Sequence, residues 1–99
     1  MIYKTPSPRP GHTRVVFELP SSVWADKISL VGEFNDWDHQ NTLLTQGRDG
    51  AWRAQVDLPT GGQYKFGYVV NGQWQTDRQA DDFGLNEHNK LSGIVHIAQ

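Results

Sequence analysis

The sequence contains no cysteine and no run of apolar residues long enough to cross a membrane. The first absence excludes disulfides and thiolate metal sites, and the second argues against a membrane-spanning segment. An excess of one charge is also missing, because nine Lys and Arg residues oppose eleven Asp and Glu residues, for a net charge of −2. This balance lacks the basic patch expected of a nucleic-acid-binding protein. The N-terminus has no secretory h-region, so the cytoplasm is the expected compartment.

The chain is instead rich in large aromatic side chains. Its 99 residues include four Trp, four Phe and three Tyr, within a hydrophobic fraction of only 36%. A chain of this length supports one hydrophobic core and not two. We therefore expect a single domain with a small, aromatic-rich core.

The composition divides the chain near its N-terminus. Residues 1–11 alternate proline with polar residues and have no apolar period, which is typical of a flexible, extended tail. From residue 12 onward, short apolar segments alternate with turn residues. The sequence therefore predicts a Pro-rich tail over residues 1–11 and one folded domain over residues 12–99.

The folded part shows the two-residue period of β-strands. Residues 51–58 and 63–70 alternate apolar and polar side chains, and Gly, Pro, Asn or Asp residues bound each segment. No segment of helical length holds a 3.6-residue apolar period. About seven short strands at this spacing predict an all-β, immunoglobulin-like antiparallel β-sandwich. The inward positions of the two alternating segments are Trp52, Ala54, Val56, Leu58, Tyr64, Phe66, Tyr68 and Val70.

A tight hairpin is predicted at Asn71-Gly72. These residue types favour a type I′ turn, which needs positive φ at both central positions. A two-residue turn pairs Val69 with Trp74, and directly paired residues point to the same face of a sheet. Because that face also carries Lys65 and Gly67, an exposed tryptophan and a lysine share one surface. Gly67 leaves a gap without a side chain between them.

The four tryptophans have different expected roles. Trp52 follows the alternation of its strand and is expected in the core. Trp24 lies in a polar loop and is expected to cover one end of the sandwich, with ligand contact as the lesser alternative. Trp37 lies in the polar stretch 35–40, where no apolar period predicts burial. Since large exposed aromatic side chains commonly meet a partner, we expect Trp37 and Trp74 to contact a ligand, with packing at the edge of the sandwich as the alternative.

Four short motifs in order resemble a known family. They are Gly32-Glu33-Phe34-Asn35-Asp36-Trp37, Asp49-Gly50-Ala51-Trp52, Tyr64-Lys65-Phe66 and Asn71-Gly72-Gln73-Trp74. This order and spacing are similar to the family 48 carbohydrate-binding modules. That family includes the glycogen-binding domain of the AMP-activated protein kinase β subunit and the early-set domain at the N-terminus of isoamylases and glycogen branching enzymes. The resemblance covers residues 13–97 and implies the early-set, immunoglobulin-like fold.

The resemblance also implies a ligand and a site. In the kinase-type modules, two tryptophans stack on glucose units of an α-1,4-glucan of the glycogen or starch type, and a lysine binds hydroxyl groups. By motif match these residues are Trp37, Trp74 and Lys65. An asparagine that contacts glucan in those modules falls on Ser92, and Asn89 is the nearby substitute. The site predicted by resemblance therefore consists of these five residues.

One other functional class stays open at this point, and a third is not expected. Family members fused to debranching and branching enzymes often lack detectable sugar binding, so a structural or protein-interaction module is the alternative, with a partner protein in place of glucan. Catalysis is not expected, because the aspartates are interpreted as solvated loop carboxylates. The histidines lack metal-ligand spacing, so no metal or cofactor is expected. The residues concerned are Asp36, Asp38, Asp77, Asp81, Asp82, His12, His39, His88 and His96.

Overall fold

Nine antiparallel strands build the protein, and the computed structural model describes all 99 residues. The strands are β1 Ile2–Pro6, β2 His12–Leu19, β3 Ile28–Gly32, β4 Thr45–Gln46, β5 Trp52–Pro59, β6 Gln63–Val70, β7 Gln73–Gln75, β8 Asp82–Leu85 and β9 Leu91–His96. A single 3₁₀ turn, Glu33–Asn35, follows β3. No helix has the length and apolar character that crossing a membrane requires.

The strands form two sheets that pack face to face. The first sheet has the order β1-β2-β5-β4, and the second has the order β3-β6-β9-β8 with β7 also paired to β6. All neighbouring strands are antiparallel. The predicted all-β, immunoglobulin-like sandwich is confirmed.

β6 is the central strand of the second sheet and changes its partner halfway along. β3 pairs with one edge of β6 over 66–70. On the other edge, β9 pairs with 63–66 and β7 pairs with 68–70. Gly67 lies between these two pairings, at the junction of three strands.

The alternation along β6 separates the core from an outer face. Phe66 and Tyr68 are fully buried between the sheets, where the Phe66 ring meets Phe17 edge-on with centroids 4.9 Å apart. The other predicted inward positions of β5 and β6 are also in or against the core, with Val56, Tyr64 and Val70 partly buried beside it. The buried apolar cluster contains Val15, Phe17, Ile28, Leu30, Leu44, Trp52, Ala54, Leu58, Phe66, Tyr68, Val95 and Ile97.

A buried polar pair ties the segment after β7 to this core. The Tyr68 hydroxyl donates to the Asp77 carboxylate at 2.8 Å, and the Gln79 amide donates to the other carboxylate oxygen at 2.9 Å. Burial, with the neighbouring carboxylate as the smaller cause, raises the pKa of Tyr68 well above its usual value. Asp77 is only 5% exposed, so interpreting it as a solvated loop carboxylate was wrong.

The N-terminal residues are not a free tail. β1 pairs with β2 from Ile2 opposite Phe17 to Pro6 opposite Thr13, which corrects the expectation for residues 2–6. Ile2 packs against the core, and the Lys4 ammonium lies 2.6 Å from a carboxylate oxygen of Asp81, the residue just before β8 of the other sheet. Proline is tolerated here because β1 is an edge strand.

The core assignment predicts a contrast between two phenylalanines of the second sheet. Phe66→Ala should reduce the free energy of unfolding by about 3–5 kcal/mol, because it leaves a cavity at a fully buried position. Phe83→Ala is the matched control, since Phe83 is 45% exposed on edge strand β8 and should cost clearly less. Urea unfolding followed by circular dichroism measures both. Equal losses would contradict the assignment.

Candidate functional site

The hairpin after β6 places Trp74 on the outer face of the second sheet. The turn Asn71-Gly72 has positive φ angles of 48° and 84°, and Val69 pairs with Trp74, so the predicted register is confirmed. The Trp74 indole Nε1 donates to the Leu91 carbonyl at 2.9 Å. This bond ties the indole to the start of β9 and fixes its direction over the sheet.

Gly67 provides the space in which the Trp74 indole lies. A Cβ atom added at Gly67 would be 2.4 Å from Cζ2 of Trp74 and 2.6 Å from Cη2, far closer than atoms approach without a shift. The predicted gap without a side chain is therefore filled by the indole. Glycine is required here for close approach and not for its backbone angles.

Trp37 is held by a strained turn after β3. Asp36 and Trp37 have φ angles of 55° and 59°, a left-handed conformation that non-glycine residues rarely adopt. The Asn35 side chain stabilises the turn by accepting from the Gly32 amide at 3.0 Å and donating to the Leu30 carbonyl at 2.9 Å. The Trp37 amide also donates to the Gly32 carbonyl at 3.0 Å. These contacts fix the backbone from which the indole extends.

The two indoles meet on the outer face. The ring centroids of Trp37 and Trp74 are 6.1 Å apart, with 38° between the ring planes. Both side chains are half-buried. Val31 and Val69 lie beneath them and are 0% and 8% exposed although they point away from the main core. The indoles and valines line a groove of about 340 Å³, the indole groove, together with Asp36, His39, Gly72, His88 and Lys90.

Lys65 shares the outer face but does not line the indole groove. Its ammonium donates to the Leu85 carbonyl on β8 at 2.8 Å. It lines a separate, polar groove with Glu33, Leu85, Asn86 and Glu87, and Trp37 is the one residue that lines both grooves. Trp37 and Trp74 are therefore neighbours in the indole groove, and Trp37 is the residue that joins this groove to the one lined by Lys65.

The two remaining predicted residues differ sharply in accessibility. Ser92 is 0% exposed and accepts a hydrogen bond from the Asn86 side chain at 3.0 Å, so it cannot touch a ligand and its assignment to the site was wrong. Asn89 is exposed in the turn between β8 and β9, with a φ of 60° that asparagine tolerates. It lies between His88 and Lys90, which both line the indole groove. Its part in binding stays a prediction.

Sequence reasoning missed His88 as a site residue. Its ring centroid is 5.8 Å from that of Trp37, with the planes nearly perpendicular at 83°. From the sequence, the four histidines were considered only as metal ligands. The available signal was position, because His88 directly precedes Asn89, which the resemblance had already placed near the ligand.

Trp24 and Trp52 lie away from the indole groove. Trp52 is buried in the core as expected, and its Nε1 donates to the Val23 carbonyl at 3.1 Å. Trp24 is 91% exposed, so the expectation that it covers one end of the sandwich was wrong. Its neighbours Val23 and Ala25 pack against the core, which directs the intervening side chain outward.

The indole groove combines flat apolar surfaces with a polar rim. The indole faces suit the C–H groups of a ring, and the rim provides carboxylate, imidazole and ammonium groups as hydrogen-bond partners. The floor of buried valines offers no polar contact. The chemistry of the groove therefore suits a ring that is apolar on its faces and polar at its edges.

Comparison with known proteins identifies the family. Residues 13–99 match the family described as the glycogen recognition site of AMP-activated protein kinase. This match covers most of the chain, and the protein belongs to that family. The domain is therefore a carbohydrate-binding module by descent.

The chain is also similar to segments of larger enzymes. It is 36% identical over 70 residues to the 1,4-alpha-glucan branching enzyme GlgB of Aquifex aeolicus, covering 65% of this chain and 11% of the enzyme. It is 37% identical over 76 residues to that of Mycobacterium tuberculosis, covering 72% of this chain and 10% of the enzyme. It is 48% identical over 48 residues to that of Lactobacillus acidophilus, covering 44% of this chain and 7% of the enzyme. The chain thus spans about a tenth of the length of these relatives.

The packing of Trp74 predicts that alanine is destabilising at Gly67 and has little effect at Gly84, two glycines of the outer face. Gly67→Ala should displace the indole and reduce the free energy of unfolding by about 1–3 kcal/mol, because the added methyl group overlaps the ring. Gly84→Ala is the control, since its Cβ would meet Ile94 Cδ1 at 3.5 Å and Lys65 Cε at 3.8 Å, which are ordinary contacts.

Indole side-chain NMR signals and thermal unfolding measure both effects. The Trp74 Nε1–H resonance should move strongly in Gly67→Ala and little in Gly84→Ala. An unchanged Trp74 resonance in Gly67→Ala would show that the indole does not lie over this glycine.

Proposed function

We propose that the protein binds α-1,4-linked glucan without catalysing a reaction, and that glucose units stack on Trp37 and Trp74. The observation that supports this most directly is the pair of half-exposed indoles in contact on the outer face, 6.1 Å apart and tilted by 38°. The family is the glycogen recognition site of AMP-activated protein kinase, and the similar enzymes are 1,4-alpha-glucan branching enzymes. Both names point to glucan as the ligand.

The indoles provide the apolar part of the binding surface. An indole face is flat and carries negative π density, which favours the axial C–H groups of a glucopyranose. Two faces inclined at 38° form an angled surface and not a flat one. Such a surface suits a chain whose successive rings turn, as α-1,4-linked rings do, better than the flat ribbon of a β-1,4-glucan.

Polar groups on both sides of the indoles complete the site. Lys65 uses one ammonium donor on the Leu85 carbonyl, which leaves two of its three donors for sugar hydroxyls. Asn89 is exposed beside the indole groove and can donate and accept. A glucan that passes over Trp37 would meet both grooves. Few contacts and an open site imply micromolar to millimolar affinity, about −4 to −8 kcal/mol.

The backbone around Trp37 adds preorganisation. Trp37 lies in a strained turn that side-chain hydrogen bonds of Asn35 hold in place. A side chain that is already ordered loses less entropy when the ligand binds. Strain at an exposed aromatic residue is typical of a binding site and has no evident benefit for the core.

An interaction module is the second candidate function. Leu85 and Leu91 pair across β8 and β9 and are 58% and 52% exposed, and Phe83 lies on the same face. The similar segments form about a tenth of much larger enzymes. In this alternative, the exposed apolar side chains pack on a partner protein and the indole groove has no useful sugar affinity.

The binding residues can be tested with single substitutions. Trp37→Ala and Trp74→Ala should each abolish the retardation of the protein in a native gel that contains glycogen, because each removes half of the stacking surface. Lys65→Ala should weaken binding less, by about 1–3 kcal/mol for one charge-assisted hydrogen bond. Trp24→Ala is the matched control, since Trp24 is 91% exposed and lies outside both grooves.

Circular dichroism of each variant separates lost binding from lost folding. Trp74→Ala should also lower stability, because its indole covers Gly67 and bonds to the Leu91 carbonyl. Equal mobility of the unaltered protein in gels with and without glycogen would reject glucan binding and favour the interaction module.

The type of ligand can be tested by titration. Maltoheptaose should bind and quench or shift the indole fluorescence, whereas cellohexaose should not bind, because its flat chain does not follow two angled indoles. Affinity should barely change between low and high salt, since stacking on a neutral sugar involves no net charge. Equal affinity for both sugars would remove the α-glucan assignment, and strong salt dependence would indicate an anionic ligand.

A further inference from the structure

The outer face of the second sheet continues past the indole groove to the end of β6. The outward positions of β6 are Lys65, Gly67 and Val69, and the turn at Asn71 follows. Six residues of a strand span about 20 Å, so this face is much longer than the 6.1 Å between the two indole centroids. The proposed glucan contacts occupy the Lys65 end and the middle of the face, and leave the Asn71 end without a function.

A third groove lies at the Asn71 end. Its volume is about 210 Å³, and it shares three residues with the indole groove but none with the polar groove around Lys65. The polar groove, the indole groove and this third groove therefore form one path along β6. The third groove, the Lys27 groove, is lined by Lys27, Ser29, His39, Val69, Asn71 and Gly72, of which His39, Val69 and Gly72 also line the indole groove.

The register of β3 places Lys27 on this face. Ser29 pairs with Val69, an outward residue of β6. Because side chains alternate along an extended chain, Lys27 lies on the same face as Ser29, whereas Ile28 between them points into the core and is 1% exposed. Lys27 is exposed, and none of the ion pairs of the protein involves it. Its ammonium thus has three donors and no carboxylate partner.

Asn71 holds the backbone of Lys27 in place. The Asn71 amide donates to the Lys27 carbonyl at 3.0 Å, and the Lys27 amide donates to the Asn71 side-chain oxygen at 3.1 Å. The Asp26 amide donates to the same oxygen at 2.9 Å. These bonds use the oxygen of the carboxamide and leave its NH₂ group for a ligand. The Lys27 groove therefore presents hydrogen-bond donors on a backbone that is ordered before a ligand arrives.

We propose that the Lys27 groove is an additional subsite for α-glucan, in which Lys27 and Asn71 donate hydrogen bonds to hydroxyl groups of glucose units next to those stacked on the indoles. This inference rests on the proposed function. The Lys27 groove is lined by no indole and no carboxylate, so it suits the hydroxyl edge of a sugar and not its apolar face.

The proposed subsite gives the whole binding surface a simple order. A long glucan meets Lys65 at one end, the two indoles in the middle and Lys27 at the other end. Stacking in the middle is available to a short chain, whereas the hydrogen bonds at the Lys27 end need a chain that extends beyond the indoles. The subsite therefore favours long glucan chains over short ones.

The test compares maltotriose with maltoheptaose by isothermal titration calorimetry. Lys27→Ala should weaken maltoheptaose binding about three- to tenfold, as expected for one hydrogen bond at an open site, and should leave maltotriose binding unchanged. The variant keeps the hydrogen bonds to Asn71, because they involve only the backbone of Lys27. Arg48→Ala is the control, since it removes an exposed cation between β4 and β5 of the first sheet and should affect neither sugar.

A second variant removes the other donor without removing the turn. Asn71→Asp keeps an acceptor for the amides of Asp26 and Lys27 and tolerates the φ of 48°, but it lacks the NH₂ group. It should also weaken the binding of maltoheptaose and not that of maltotriose. In the unaltered protein, maltoheptaose should shift the backbone amide NMR signals of Lys27 and Asn71, and maltotriose should leave them in place.

The outcomes distinguish the subsite from the proposed function. If Lys27→Ala binds maltoheptaose as tightly as the unaltered protein does, or if maltoheptaose does not shift the Lys27 and Asn71 signals, the subsite is rejected while stacking on the indoles stands. An equal loss for both sugars would also overturn it, because Lys27 would then act on the indole groove itself. If the unaltered protein binds neither sugar, the proposed function fails, and the subsite fails with it.

Discussion

The alternation of side chains along β6 is the constraint on which both the core and the indole groove depend. Phe66 and Tyr68 fill the interior, so the residues between and beside them must point outward. Gly67 is the outward position where β6 exchanges β9 for β7, and its missing side chain admits the Trp74 indole. A shift of one residue in this strand would place glycine in the core and phenylalanine in the groove.

Two asparagines determine how precisely the groove is built. Asn35 closes the turn before Trp37 through the Gly32 amide and the Leu30 carbonyl. Asn86 closes the turn on the opposite side by accepting from the amides of its loop. Neither side chain lines the indole groove, yet each fixes the backbone of residues that do. A binding surface built on loops needs such supporting hydrogen bonds to hold its side chains in defined positions, because an unsupported loop leaves them free to move.

Features that depend on residues adjacent in the sequence could be predicted, and features that depend on distant contacts could not. The Asn71-Gly72 turn requires positive φ at two neighbouring residues, so its register and the face of Trp74 could be derived without a structure. Ser92 could not be judged in this way, because its burial and its hydrogen bond to Asn86, six residues away, arise only in the folded structure. The pairing of residues 2–6 with β2 was missed for the same reason, since a Pro-rich composition gives no sign of a partner strand.

On the outer face, the residues proposed to bind glucan also contribute to the stability of the fold. Val31 and Val69 point away from the main core and are nevertheless buried, because the indoles of the groove lie over them. Apolar side chains beneath an aromatic surface are removed from water by the same rings that would stack on a ligand. The hydrogen bond from Trp74 Nε1 to the Leu91 carbonyl also links β7 to β9, the two strands that share one edge of β6. The aromatic residues of the groove are therefore a second, thin apolar layer of the fold, and their exposed faces remain free for a ligand.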